Sequence, residues 1–382
     1  MNYEDLKKLV PEPGHVPAPG LLLEAFPQLA RLAQTPQDAL YHAEGDVWTH
    51  TLMVLAALVA QPDYACGTEE ERFILFIAAL LHDISKPDTT VIDPVTGKIG
   101  QPGHSRRGAV DARILLWRAE VPFGIRETIC RIISVHQLPF FALTSNKEGR
   151  SPEYVVRKLS HELPLWMLCC VARADMEGRT YAGKDDCLVD IELFRQFCAE
   201  EGCLYSPRKF EDDYTRVAYF RGADVHPDYS LFAEPGSQVT VMTGLPASGK
   251  DTWVARHCKG LPVVSYDDAR EELGLRHGKN EGQVGHFARD KAKALLREKA
   301  PFVWNATHLS RQMRENTVDL LFAYNARVRI IYLETTERTL YARNSHRNTS
   351  LRNSDIERML FRWEVPLPTE AHEVEYVPDA GR

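Results

Sequence analysis

Midway along the chain, the alternating run Gln238-Val239-Thr240-Val241-Met242 leads into Gly244-Leu245-Pro246-Ala247-Ser248-Gly249-Lys250. Asp251-Thr252-Trp253 then opens a helical pattern. No other feature of the 382 residues narrows the possible fold as far. Two glycines with four residues between them let backbone N–H groups close around phosphate oxygens, and a helix N-terminus adds a positive dipole end. Lys250 supplies the charge that neutralises the β- and γ-phosphates of a nucleoside triphosphate. A plain glycine-rich turn requires neither the strand, the helix nor the lysine. Gly244 to Lys250 are therefore assigned to the phosphates of ATP or another nucleoside triphosphate. The residue after the lysine is ordinarily Ser or Thr, whose hydroxyl meets Mg2+. Here it is Asp251, and either Asp251 itself or the neighbouring Thr252 takes that role.

Further apolar or β-branched runs at Leu261–Ser265, Phe302–Asn305 and Val328–Leu333 alternate with helical stretches at Gly285–Lys299 and Arg311–Asn325. Strand alternating with helix implies a parallel sheet covered by helices, an α/β domain over 237–382. The second strand runs into Tyr266-Asp267-Asp268-Ala269-Arg270. In a doubly wound sheet that strand end lies beside the phosphate loop. Asp267 can accept a proton from an attacking hydroxyl there, and Arg270 can hold a substrate phosphate. Favourable acids at a helix start explain the aspartates, but not Arg270. Arg343 and Arg347 fall on one helical face, which suits a lid closing over nucleotide phosphates.

Together these residues resemble the 5′-hydroxyl polynucleotide kinase family of P-loop enzymes, in which a proline in the loop and an aromatic residue shortly after it recur. Pro246 and Trp253 match those positions, and Asp267, Asp268 and Arg270 match the family's Asp-Asp-x-Arg motif. The resemblance implies Asp267 as general base, Arg270 on the acceptor's phosphate, and Arg343 and Arg347 as lid arginines. The stretch Phe302-Val-Trp-Asn305-Ala-Thr307-His308 fits the family's third strand, but lacks the acidic residue expected there.

The first part of the chain reads differently. From Trp48 to about Phe197 the periodicity is helical, with Thr51–Ala60, Glu70–Leu81, Ser105–Arg118, Ile125–Val135, Pro152–Leu159 and Leu163–Ala174 as separate helices and no strand alternation. The proline-rich first forty residues predict an extended lead-in with one short helix near Leu21–Leu32. Glycines and prolines near 222–236 predict a linker, giving domains 1–232 and 237–382. Charge divides along the same line. Residues 1–236 carry 24 Lys+Arg against 34 Asp+Glu, while residues 237–382 carry 22 against 19. So acidic a first half is no general nucleic-acid-coating surface, and any polynucleotide must be gripped locally, at an end. The eight cysteines include no Cys-x-x-Cys pair, which argues against a disulfide framework or a cysteine zinc site. No membrane-length apolar run or secretion signal is present, so a cytoplasmic location with no membrane contact is expected.

Within the helical half, an apolar helix ends in His82-Asp83, followed by Lys86. A neutral imidazole and a carboxylate side by side can ligate a divalent metal. His50 lies at a helix start, His104 before a helix, His136 at a helix end and Asp175 late in another apolar helix. Any one of these is ordinarily a cap or a satisfied core residue. Five such segments, each near the end of a helix, can converge in a bundle core. Their order resembles the HD metal-dependent phosphohydrolase superfamily, in particular the HD domains attached to tRNA nucleotidyltransferases. The resemblance implies an all-α bundle in which His50, His82, Asp83 and Asp175 hold one metal. His104 and His136 fit second-metal or phosphate-contact positions, and Lys86 is placed to contact phosphate. The ligand set admits Mn, Fe, Co, Ni or Zn.

An HD domain followed by a 5′-kinase resembles the bacterial bifunctional RNA end-healing family known as HD-Pnk, over nearly the whole chain. That resemblance implies removal of 2′,3′-cyclic, 2′- or 3′-phosphates by the first half and ATP- and Mg2+-dependent phosphorylation of 5′-OH ends by the second. RNA or DNA ends are the implied partners, with a nucleic-acid ligase acting downstream. The alternative reading is a small-molecule or nucleoside kinase fused to an HD nucleotidase or phosphodiesterase.

Overall fold

The computed structural model describes residues 1–143, 150–232, 236–275, 280–346 and 351–378. The chain forms two compact units, Met1–Arg208 and Lys209–Arg382. No helix among the described residues is long and apolar enough to cross a membrane.

The first unit is a helical bundle built around the Glu69–Leu81 helix. That helix opens with a capping box between Thr68 and Glu71, and every residue from Phe73 to Leu81 is buried. A helix apolar on all sides must be surrounded. The Val47–Val59, Phe123–Val135 and Leu165–Glu177 helices pack against it, and the His104–Arg118 helix packs on Phe123–Val135. The proline-rich lead-in differs from the sequence expectation. It forms an α-helix over Pro19–Ala25 and a 3-10 helix over Pro27–Gln34, with Leu22, Leu29 and Leu32 fully buried in the core. Pro27 is the reason for the break, because a residue before proline is pushed out of the α region. Phe26 accordingly sits at φ −131°, ψ 79°. A further departure is a two-residue antiparallel ladder, β1 (Val91–Ile92) with β2 (Ile99–Gly100). It closes on Asp93, whose side chain accepts from the N–H groups of Val95 and Thr96. A ladder this short leaves no alternation to read.

The second unit contains a five-stranded parallel sheet of β3 (Gln238–Thr243), β4 (Val263–Ser265), β5 (Phe302–Asn305), β6 (Arg327–Leu333) and β7 (Glu373–Val377), in the order β4-β5-β3-β6-β7. The first strand of the unit is thus central, and successive strands are added first on one side of it and then on the other. In such open sheets the ligand crevice lies at the carboxyl ends of the strands where the order reverses, which is the end of β3. The edge strand β7 escapes a reading by hydrophobicity because Glu373 and Glu375 interrupt it. Its charges answer Arg329 of β6, whose guanidinium pairs with both glutamates.

The two compact units divide upstream of the linker expected near 233–236. The Asp213–Phe220 helix packs with the second unit. Arg216 donates to the carbonyls of Pro368 (3.0 Å) and His372 (2.6 Å), and Arg221 pairs with Asp319 at 2.9 Å. These partners lie about a hundred or more residues downstream and leave no local signal in sequence.

Candidate metal centre and candidate nucleotide site

In the helical unit, His82 and His136 are the C-cap residues of the Glu69–Leu81 and Phe123–Val135 helices. Helix ends leave carbonyls without intrahelical partners. Each histidine uses Nδ1 to satisfy the carbonyl three residues back, Ala79 at 2.7 Å and Ile133 at 2.8 Å. His104 does the same with Gln101 at 2.8 Å. A carbonyl only accepts, so Nδ1 carries a proton and each ring turns its Nε2 inward. His50, near the start of the Val47–Val59 helix, lies with Nε2 3.1 Å from Asp175 Oδ1 and 3.8 Å from Asp83 Oδ2. Asp83 also faces His82 Nε2 at 3.1 Å, His104 Nε2 at 3.5 Å and Lys86 Nζ at 2.7 Å.

All six proposed ligands are thus brought together and buried. Ligand atoms of His50, His82 and Asp83, of His82, His136 and Asp175, and of Asp83, His104 and His136 fall within 4.8 Å of one another in each group. His82 Nε2, His136 Nε2 and Asp83 Oδ1 are buried without a hydrogen bond, while Asp83 Oδ2 is ion-paired with Lys86. Buried polar atoms are seldom left so, and donors grouped within 4.8 Å match the set a divalent cation takes. Burial opposes ionisation of Asp83, but His82 and Lys86 hold its carboxyl well below the usual range. Burial opposes it in Asp175 too, and Arg179 outweighs it. Burial and the nearby His82 push His136 down to about 3, so its ring is neutral at pH 7. Ionised carboxylates and neutral imidazoles are the protonation states a metal requires; burial opposes a charge on His82, but Asp83 outweighs it and raises its hold on a proton that a bound metal would displace.

The surroundings hold residues that motif reading passed over. Arg179 grips Asp175 with two short bonds of 2.9 and 2.8 Å. Gln37 Oε1 accepts from Lys86 Nζ at 2.7 Å. Glu44 Oε1 lies 2.8 Å from His42 Nδ1 and 3.0 Å from His50 Nδ1, and its other oxygen accepts from the Thr180 N–H. Arg179 was findable at i+4 from Asp175, whereas Gln37 and Glu44 come from irregular segments with no periodicity. Replacing Arg179 with Met leaves a buried anion short of its main partner. The expected cost in chelator-treated protein is about 3 kcal/mol, measured by denaturant unfolding, and smaller once a divalent metal is added.

In the second unit, Gly244 sits at φ +139°, and a Cβ there would meet the Leu333 carbonyl oxygen at 2.2 Å. Only glycine fits. Gly249 takes φ +105° as N-cap of the Lys250–His257 helix. The loop is braced from β5. The Gly244 N–H donates to Thr307 O, and Thr243 Oγ1 lies 3.1 Å from the carbonyls of both Thr307 and His308. Leu245 and Pro246 are buried, Ala247 adopts φ +63°, and Ser248 Oγ is buried without a hydrogen bond. Lys250 Nζ donates to the carbonyls of Gly244 (3.0 Å) and Leu245 (2.9 Å), which folds its charge over the loop. Arg343 Nη1 reaches Ser248 O at 3.2 Å, while Arg347 lies outside the described residues. Thr252 is exposed on the helix, one residue beyond Asp251. Asp251 Oδ1 accepts from Asn305 Nδ2 at 2.7 Å.

Asp267 is exposed in the first turn of the Tyr266–Glu272 helix, and its Oδ1 is 2.7 Å from Arg270 Nη1. The other side of the Arg270 guanidinium is held by Glu281 at 2.7 Å, a residue motif reading did not single out. Gly244→Ala is expected to destabilise this unit by about 3 kcal/mol or more and to abolish nucleotide binding, read together as a fall in unfolding midpoint and a lost ATP titration.

Residues 47–174 match the family model described as HD domain, and residues 239–366 match AAA_33, described as AAA domain. Among curated proteins, the Multifunctional CCA protein of Pasteurella multocida (strain Pm70) is 28% identical over 172 residues, covering 42% of this chain and 37% of that protein. The Multifunctional CCA protein of Halorhodospira halophila (strain DSM 244 / SL1) is 32% identical over 117 residues, covering 31% and 25%. The chain thus spans between 25% and 37% of the length of these relatives. Among solved structures, Chaetomium thermophilum Kti12 in complex with ADP-AlF3 is 17% identical at TM-score 0.30, over 37% of this chain and 88% of that one. A gluconokinase from Sinorhizobium meliloti 1021 is 18% identical at TM-score 0.28, over 39% and 86%. The strand order and the two domain matches define the class: an HD domain fused to a P-loop kinase-like domain.

Proposed function

We propose that the chain heals nucleic-acid ends, RNA above all. The P-loop domain phosphorylates 5′-OH ends with ATP, and the HD domain removes 2′,3′-cyclic, 2′- or 3′-phosphates. The observation that carries the kinase half is the Asp267–Arg270 pair at the carboxyl end of β4, in the sheet whose central strand leads into the phosphate loop. In phosphoryl transfer the protein mainly positions and neutralises. Lys250, Arg343 and the loop amides of Gly244 to Gly249 would hold the triphosphate. Asp267 takes the proton of the acceptor hydroxyl. Arg270 holds the phosphate next to that hydroxyl, exchanging its bond to Glu281 for the substrate. Asp251 sits where the loop meets Mg2+.

In the HD half, His50, His82, Asp83 and Asp175 would hold one divalent metal, with His104 and His136 beside it and Lys86 available to a phosphate oxygen. A metal bound there supplies an activated water and neutralises developing oxyanion charge. The chain's own contribution is to keep Nε2 of each ring directed at one point and to exclude bulk water from it.

A single oligonucleotide bearing a 5′-OH and a 2′,3′-cyclic phosphate tests both halves. Label from γ-phosphate is expected at the 5′ end, and phosphate release at the other. Transfer to free nucleosides in preference to the oligonucleotide would favour a small-molecule kinase joined to an HD nucleotidase. A nucleic-acid ligase acting downstream, in the cytoplasm, is the partner this activity calls for.

A further inference from the structure

Two departures in the second unit concern the same ion. Asp251 stands where the phosphate loop ordinarily offers Ser or Thr to Mg2+, and Asn305 ends the neighbouring strand where an acid is ordinarily found. Read along the chain, they are separate anomalies 54 positions apart. The fold makes them one. Asn305 is the last residue of β5, which pairs in parallel with β3, placing Asn305 opposite Met242 just before the loop. From there its Nδ2 donates to Asp251 Oδ1 at 2.7 Å. A carboxylate only accepts, so chemistry fixes which way the amide faces. The Asn305 carbonyl oxygen is thereby turned away from Asp251.

We infer that Asp251 and Asn305 are an exchanged pair, with the metal-anchoring carboxylate moved from the strand end to the phosphate-loop helix and a neutral oxygen left on the strand. The pair keeps one negative charge and one neutral oxygen donor, as a Ser–Asp pair does, and a hard cation such as Mg2+ seeks that oxygen set. Glu334, another acid near a strand end, follows β6 on the opposite side of β3 and is buried with the Tyr332 hydroxyl 2.6 Å away. It is therefore no substitute for a carboxylate beside β5.

The inference rests on the nucleotide-binding reading, and the test separates the two. In the full-length protein, the ATP dissociation constant is measured in EDTA and in excess Mg2+ for wild type, Asp251→Ser and the double variant Asp251→Ser/Asn305→Asp. The ratio of the two constants reports metal–nucleotide coupling and is unaffected by any metal held in the other domain. Asp251→Ser is expected to lose about tenfold of that ratio, in the range found when a metal's supporting groups are removed. The double variant, with hydroxyl and carboxylate back in their usual places, is expected to recover to within about threefold of wild type. Equal denaturant unfolding midpoints show that all three proteins keep the domain folded. Should Asp251→Ser fail that control, Asp251→Asn, which keeps the shape and loses the charge, replaces it and must show the same loss. A wild-type ratio in the single variant, or no recovery in the double, overturns the exchange. No ATP binding by wild type in either condition removes the nucleotide reading, and the exchange with it.

Discussion

Asp83→Ala is expected to abolish removal of the 3′-terminal phosphate, by at least about 10³-fold, while phosphorylation of the 5′ end proceeds at the wild-type rate. The size follows from what Asp83 faces. Lys86, His82, His104 and His50 all direct nitrogen atoms at its two oxygens, within 4 Å. Removing the carboxylate takes a ligand from two of the three ligand groups and leaves the Lys86 ammonium without its anion. Metal catalysis of this kind supplies several kcal/mol of transition-state stabilisation, and each 1.36 kcal/mol is about a factor of ten. His82→Ala is expected to behave in the same way. Phosphate release and label incorporation measured on the same two-ended oligonucleotide provide the comparison, and the intact kinase signal doubles as the folding control. Treatment with a chelator reproduces the loss in the wild type, and adding back Mn, Fe, Co, Ni or Zn in turn identifies the ion. Unimpaired phosphate removal by Asp83→Ala would falsify the metal centre.

Lys250→Ala is the reciprocal case. The 5′ transfer is expected to fall by about 10²–10³-fold, the range seen when one preorganised charge-stabilising group is lost, with phosphate removal untouched. Lys250 is a buried cation of the loop, and the Gly244 and Leu245 carbonyls hold its charge over the loop, where the proposed function places the β- and γ-phosphates. Asp267→Asn separates catalysis from binding. It removes the proposed proton acceptor and leaves the loop intact, so turnover should drop by about 10²–10⁴-fold with little change in ATP affinity. Full kinase activity in Asp267→Asn would instead point to the loop as a nucleotide sensor for an HD phosphodiesterase. If Lys250→Ala still labels 5′ ends at the normal rate, the domain is no kinase of those ends.

Much of both sites was legible along the chain because their residues sit at ends of regular elements. Gly244 to Lys250 announce themselves by glycine spacing, and the structure shows why the first is obligatory: Leu333 occupies the space of a Cβ. His82-Asp83 is read as the end of an apolar helix, and His82 is the cap of that helix. Elements defined by long-range partners were not legible. The Asp213–Phe220 helix belongs with the second unit through Arg216 and the carbonyls of Pro368 and His372. β7 is held by its ladder to β6 rather than by its own hydrophobicity. Pro27 could be seen in sequence, but that Leu29 and Leu32 beyond it enter the core could not.

The residue types of the two centres, the strand before the phosphate loop and the helical character of the first half can be read along the chain. These are set by local periodicity, glycine conformation and the chemistry of single side chains. What those residues face is set by the folded arrangement. It joined His50, His82, Asp83, His104, His136 and Asp175 in one buried cluster, added Glu44, Gln37 and Arg179 around it, and set Glu281 on Arg270. It also placed Asn305 against Asp251 through the register of β5 on β3. Register and burial depend on contacts between segments tens to hundreds of residues apart, and no local pattern encodes those. The residue after Lys250, a misfit in the phosphate loop when read along the chain, thereby acquired a partner.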